Sequence, residues 1–232
     1  MTKAVAINGS PRMDKGNTAL ILNPFIQGMQ YGGCSVELFF ASKLKVLPCE
    51  CGTMRCWRST PGECIYRDNM SLLIPELKVA DILVIATPVY APLPGEMQNI
   101  LNRMVPMLVP ELVWRNGRTR ARFRDGIAIQ KIVLLAVGGW YEPENLDKVV
   151  DIVREFAETA SVEFAGAVLR PHAYHLKKDG VLTETGKAVV QAVKQAGSEL
   201  VRNGKIEEST LLKIRRPLSS EPRYISSGGV ST

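Results

Sequence analysis

Four of the five cysteines, Cys49, Cys51, Cys56 and Cys64, fall within sixteen residues, while Cys34 stands alone. In a reducing compartment, thiols grouped this closely are metal ligands or redox groups more often than structural disulfides. The spacing Cys49-x-Cys51-x4-Cys56-x7-Cys64 lacks the paired Cys-x2-Cys of a zinc knuckle, although zinc accepts four thiolates tetrahedrally. A cubane iron–sulfur cluster requires thiolates that converge in space, and Gly52 and Gly62 give the loop freedom to bring uneven spacings together. Free or redox-active thiols are the third reading. Cys34, at the start of a strand, reads as a small buried apolar residue.

Three further segments offer polar or backbone chemistry. In Gly9-Ser10-Pro11-Arg12-Met13-Asp14-Lys15-Gly16-Asn17-Thr18, the side chains of Ser10, Asn17 and Thr18 are donors, and Arg12 or Lys15 brings positive charge. The following helix adds free backbone N–H groups, so a phosphate fits there. The segment matches neither a Walker loop nor G-x-G-x-x-G. Thr87-Pro88-Val89-Tyr90-Ala91-Pro92-Leu93-Pro94-Gly95 can set backbone groups along the edge of a flat heterocycle, with Tyr90 as a stacking face. In Gly138-Gly139-Trp140-Tyr141, paired glycines permit close approach of a ring to the backbone. His172 and His175 have no nucleophile or carboxylate at recognisable spacing, so they read as hydrogen-bonded loop residues, and no general acid or base is assigned.

The elements that must position these segments alternate. Apolar runs at 3–8, 35–40, 81–86, 131–137 and 161–169 predict five strands, and amphipathic spacing predicts helices at 17–31, 68–79, 95–104, 144–160 and 183–203. Strands that are apolar throughout belong to a parallel sheet covered on both faces, giving one doubly wound α/β domain over residues 1–204. The three segments then lie at the carboxyl ends of strands one, three and four, where open α/β sheets bind ligands. Residues 45–66 form a cysteine-rich segment, 105–130 an insertion before strand four, and 205–232 an extended tail; insertion and tail read as partner-contacting arms.

The chain has 232 residues, 46% hydrophobic and 22% charged, which excludes a disordered or fibrous protein. Its net charge of +6 is local, for without Arg115, Arg118, Arg120, Arg122 and Arg124 the remaining 24 basic residues face 23 acidic ones. No nucleic-acid module or interleaved stacking aromatics accompany that run, which reads instead as a loop facing an anionic ligand, a subunit or an acidic redox partner. The longest weakly charged stretch, 82–95, is proline-broken and shorter than the roughly 20 residues of a membrane helix. A cytoplasmic location without membrane contact is expected.

Gly9-Ser10-Pro11-Arg12 with Gly16-Asn17-Thr18, Thr87-Pro88-Val89-Tyr90 with Asn102-Arg103, and Gly138-Gly139 together resemble the NAD(P)H-dependent FMN reductase group of the flavodoxin-like superfamily. Pro48-Cys49, Cys56-Trp57 and Thr60-Pro61-Gly62-Glu63-Cys64 followed by Asp68 are similar to its iron–sulfur flavoprotein branch. The resemblance implies a flavodoxin-like sheet of order 2-1-3-4-5, FMN, a [4Fe–4S] cluster held by Cys49, Cys51, Cys56 and Cys64, and a homodimer or homotetramer. It implies that Ser10, Arg12, Gly16, Asn17 and Thr18 hold the FMN phosphate. Pro88, Val89, Tyr90 and Ala91 would line the isoalloxazine, with Gly138, Gly139 and Trp140 at its far side. NAD(P)H or a ferredoxin-like protein would be the donor, and a small molecule or protein the acceptor.

Overall fold

The computed structural model describes residues 1–229. Strands β1 (Lys3–Asn8), β2 (Ser35–Phe40), β3 (Ile82–Pro88), β6 (Lys131–Val137) and β7 (Glu163–Arg170) form one parallel sheet of order β2-β1-β3-β6-β7. This is the expected flavodoxin-like order, with the two strands of a small hairpin numbered between. The register runs without slip across the centre, Ile7 against Ile85 and Ile85 against Leu134, and shifts only where β6 meets β7.

Each central strand buries both faces because its residues are apolar on both. Ala4, Ala6, Val84, Ala86, Val133 and Leu135 meet one helical layer; Val5, Ile7, Leu83, Ile85, Ile132 and Leu134 meet the other. The first layer pairs α1 (Asn17–Tyr31) with α6 (Glu184–Asn203), and the second holds α3 (Met70–Val79), α4 (Gly95–Asn102) and α5 (Asp147–Ala160). The α1–α6 crossing is close enough to require glycine: a Cβ on Gly28 would stand 1.9 Å from the Lys194 carbonyl oxygen, and one on Gly197 2.1 Å from that of Phe25. A one-turn helix, α2 (Ala41–Leu44), follows β2. Hairpins β4 (Val113–Arg115)/β5 (Arg118–Arg120) and β8 (Lys177–Lys178)/β9 (Val181–Leu182) complete the strands. No helix among the described residues is long and apolar enough to cross a membrane.

Two expectations are corrected. Residues 205–229 are not an extended arm: α7 (Glu208–Arg215) and α8 (Glu221–Ser226) fold back onto the domain and bury Ile214 and Tyr224. The last three residues of the expected tail, 230–232, lie outside the described residues. The arginine run is partly engaged within the chain. Arg118 and Arg120 pair with Glu155, Arg120 also with Glu158, and Arg122 with Asp125, while Arg115 and Arg124 donate to the carbonyls of Glu158 and Pro106. Glu155 and Glu158 of α5, with Asp125, thus offset three of its five charges. The insertion is likewise part of the body, with Met107, Leu108, Ala121, Phe123 and Ile129 buried, and only the hairpin tip projects, Trp114 being 77% exposed.

Candidate functional site

β1 delivers its last residue, Asn8, to the carboxyl edge of the sheet almost fully buried. The Asn8 Oδ1 accepts the Ser10 N–H at 2.9 Å, and the Ser10 Oγ accepts the Arg12 N–H at 3.3 Å, so one side chain sets the next. A short 3-10 turn, Met13–Lys15, then leads into α1, whose N-terminus no side chain caps. The positive end of a fifteen-residue helix is left facing the crevice. Gly16 lets the turn close on Ser10, since a Cβ would lie 2.5 Å from the Ser10 Oγ and force that hydroxyl to move. Thr18 is 1% exposed, yet its hydroxyl and the Asn8 Nδ2 have no hydrogen-bond partner among the described residues. Buried polar groups are almost always paired, so orphans beside an uncapped helix mark a place for an external acceptor.

A cavity of 90 Å³ joins these residues to the other two turns. Ten of the twelve expected cofactor residues line it: Ser10, Arg12, Gly16, Asn17, Thr18, Pro88, Val89, Tyr90, Gly138 and Gly139. Ala91 and Trp140 do not; both are exposed, Trp140 at the outer end of its turn. Ala173 and Tyr174, which the sequence did not single out, contribute the floor beyond Gly139. The Val89 N–H donates to the Val137 carbonyl, stitching the second turn to the third, and Tyr90 stays 56% exposed with its ring available.

The third turn rests on the folded tail. The Tyr224 hydroxyl donates to the Gly139 carbonyl at 2.7 Å, and the Tyr141 hydroxyl to that of Ser219 at 3.2 Å. Beneath them Arg170, fully buried and without a carboxylate partner among the described residues, donates to the Pro171 carbonyl and caps the end of α7 by donating to the carbonyls of Ile214 and Arg216. Burial, with Arg216 nearby, pushes this guanidinium down to about 9. The His172 ring is 1% exposed; its Nε2 accepts the Leu218 N–H at 2.9 Å, so Nδ1 carries the proton and donates to the Tyr141 carbonyl at 3.0 Å. His172 is thus hydrogen-bonded as the sequence implied, whereas His175 is not: its Nε2 is buried without a partner among the described residues.

Burial first, then Arg170, pushes the His172 pKa down to about 4 against the Tyr141 hydrogen bond. Between the ordinary value of 6.5 and about 4 the unfolded chain therefore binds more protons than the folded one, and stability falls as pH falls through that window, by up to about 1.4 kcal/mol per pH unit. Denaturant unfolding at pH 7, 5.5 and 4 checks this: His172→Gln should flatten the slope, and an unchanged slope would refute the assignment.

The four grouped cysteines also come together. Cys49, Cys51, Cys56 and Cys64 all line a cavity of 290 Å³, closed by Met54, Ile65, Asn102, Arg103, Val105 and Pro106. The Cys56 thiol is pushed up by burial and then by Cys64, Cys49 and Cys51, whose charges it feels. The Cys51 thiol is pulled down by the Thr53 hydroxyl, 3.3 Å away, and by neighbouring backbone amides. Among the described residues no three histidine, cysteine or acidic side chains close on one point as a single metal ion requires; the thiols instead ring a space. Beside it Arg103, 2% exposed, forks onto Asp68 at 2.6 and 3.2 Å, donates to the Leu47 carbonyl at 2.9 Å and lies over the Tyr66 ring. Burial raises the Asp68 carboxyl, but hydrogen bonds from Arg103, Leu47 and Met70 outweigh it and hold the group below the usual carboxylate range. Cys34 is buried apart from this group, its thiol pushed up to about 11 by burial.

Comparison with known proteins agrees with this geometry. An iron–sulfur flavoprotein of Archaeoglobus fulgidus is 34% identical over 106 residues, covering 45% of this chain and 46% of that protein. The chain thus spans about half the length of the curated relatives it matches. Among solved structures, an NAD(P)H:quinone oxidoreductase from Methanothermobacter marburgensis superposes with a TM-score of 0.54 at 16% identity, over 88% of this chain and 96% of that one. An FMN-dependent NADH-azoreductase from Bacillus anthracis, solved with FMN, gives 0.56 at 13% identity over 88% and 97%. These two share the fold. The NADPH-dependent FMN reductase family matches residues 2–125, more than half of the chain, and the protein belongs to that family.

Proposed function

We propose that the crevice between the three turns binds FMN and that the protein is a flavin-dependent oxidoreductase. The observation that carries this reading is the buried, unpartnered Thr18 hydroxyl beside the uncapped start of α1, which asks for an anionic acceptor. The 90 Å³ cavity is well below the roughly 300 Å³ of an ordinary ligand pocket, so it suits a phosphate head, with a ring lying across its mouth against Tyr90 and the Gly138-Gly139 turn. Ser10, Arg12, Asn17 and Thr18 hold the phosphate, Pro88, Val89 and Tyr90 border one side of the ring, and Gly138 and Gly139 the other. FMN held there would supply hydride chemistry with NAD(P)H and one-electron chemistry with an acceptor. The chain orients the ring and limits water around it.

We further propose a [4Fe–4S] cluster in the cysteine cavity, passing electrons between the flavin and an acceptor or a ferredoxin-like donor. Four thiols around 290 Å³ of largely apolar space suit a cluster better than one ion, and Arg103 offsets the charge of the thiolates. The ring of thiols without a closed ligand group keeps a second reading in view, a cluster-free NAD(P)H-dependent FMN or quinone reductase. The exposed hairpin residues Leu112, Val113 and Trp114 support a homodimer or homotetramer.

Protein purified without oxygen decides among these. FMN with about four irons and matching sulfide, and a broad visible shoulder that bleaches on reduction, supports the full reading. FMN alone supports the second. Colourless protein whose titration with FMN quenches no fluorescence overturns both. Cys56→Ser should lower iron content at least tenfold and leave FMN content unchanged; equal iron in the variant would refute the ligand set.

A further inference from the structure

The turn from Gly138 to Tyr141 has an unusual hydrogen-bond balance. Each of its four carbonyls is taken by a donor from elsewhere: Gly138 by the Ala173 N–H at 3.0 Å, Gly139 by the Tyr224 hydroxyl at 2.7 Å, Trp140 by the His172 N–H at 2.7 Å, and Tyr141 by the His172 ring at 3.0 Å. The Gly138 N–H is also spent, on the Arg170 carbonyl. Among the described residues the N–H groups of Gly139, Trp140 and Tyr141 have no acceptor. With every carbonyl already engaged, the turn's wholly unspent groups are N–H donors.

We infer that the C-terminal segment completes the flavin site: Tyr224, from α8, fixes this turn as a donor-only edge, and is a positioning residue for the ring. Of the four carbonyl clamps, that on Gly139 alone comes from beyond the sheet's own connection at residues 172–173. It comes from 85 residues away in sequence. The donor is itself held. Tyr224 is 9% exposed and packs against Tyr141 and His175, with ring centroids 5.4 and 5.5 Å apart, and α7 is anchored in turn by Arg170. Without the Tyr224 hydroxyl, a turn that opens with two glycines regains conformational freedom, and an unpaired carbonyl is released beside its donors.

A donor-only edge selects its ligand by chemistry. It matches the acceptor-rich pyrimidine rim of a flavin, whose carbonyl oxygens and ring nitrogen carry the added negative charge once the ring has gained two electrons and one proton. Fixed N–H groups favour that charged form over the neutral one. This inference rests on the FMN reading, and it assigns to the tail both affinity and a bias towards the reduced state.

Tyr224→Phe removes one oxygen atom and keeps the ring, so the packing of α8 is retained. Three measurements test it: amide exchange of ligand-free protein, FMN affinity, and the flavin midpoint potential. Exchange at Gly138 and Ala173 should speed up several-fold without flavin. FMN should bind about tenfold more weakly, the worth of one well-placed hydrogen bond. The reduced form should lose more than the oxidised form, so the potential moves down. Ile225→Ala, at an exposed neighbour in the same helix, should change none of these. If the wild type binds FMN and Tyr224→Phe binds it equally well at an unchanged potential, the inference is overturned. If the wild type fails to bind FMN while exchange at the turn still loosens in the variant, the FMN reading fails and the clamp stands.

Discussion

Asp68→Ala is expected to destabilise the protein by about 3–5 kcal/mol, the cost of leaving a buried cation without its partner. The side chains of Arg103 and Asp68 are 1% and 6% exposed. Asp68 does more than balance Arg103. One of its oxygens accepts the Leu47 N–H and the other the Met70 N–H, so a single carboxylate joins the entrance of the cysteine segment, the start of α3 and the end of α4. Removing it unties the wall of the thiol cavity, and iron loading should fall along with stability. Chemical denaturation of the metal-free protein isolates the first effect. The double variant Asp68→Leu, Arg103→Met should recover most of the loss, because two apolar residues can replace a buried pair at little cost. A single variant within about 1 kcal/mol of the wild type would show that the pair contributes far less than its burial implies.

Thr18→Val should change stability and ligand binding in opposite directions. The Thr18 hydroxyl is buried without a partner, and an unmatched polar group in that position costs about 1–3 kcal/mol. Valine has nearly the same shape and similar helix propensity, so the ligand-free variant should be more stable by about 1 kcal/mol. FMN affinity should fall about ten- to a hundredfold, the worth of a hydrogen bond to a charged phosphate. Paired thermal melts and fluorescence titrations provide the check. A variant that is less stable and binds FMN normally would mean that the hydroxyl serves the fold and not the ligand.

Much of this was legible in the sequence, for identifiable reasons. The central strands of a parallel sheet are covered on both faces, so DILVIA and KIVLLAV announce themselves as unbroken apolar runs, and the turns after them follow as ligand-binding loops. Ten of the twelve expected residues converge on one cavity because the turns that carry them all leave the same edge of the sheet. What escaped depends on contacts between distant segments. The glutamates that pair with Arg118 and Arg120 lie some 35 to 38 residues further on, in a helix whose acidic side looks like ordinary surface. The segment RRPLSSEPRY has the composition of a loose tail and is folded by Arg170 and His172, which cap and anchor it from below. Asn8 reads as the polar end of a strand until its bond to Ser10 is seen.

The clamp on Gly139 also has a temporal side. An emerging chain must add 85 residues after that glycine before Tyr224 can close on it, so the nascent domain has its phosphate cradle long before its ring site is complete. On the FMN reading, the ring site is therefore complete only after residue 224 has joined the fold. By the same logic, and on the FMN reading, a single proteolytic cut in the exposed link around Arg216 and Pro217 would weaken cofactor binding without touching any residue that lines the crevice.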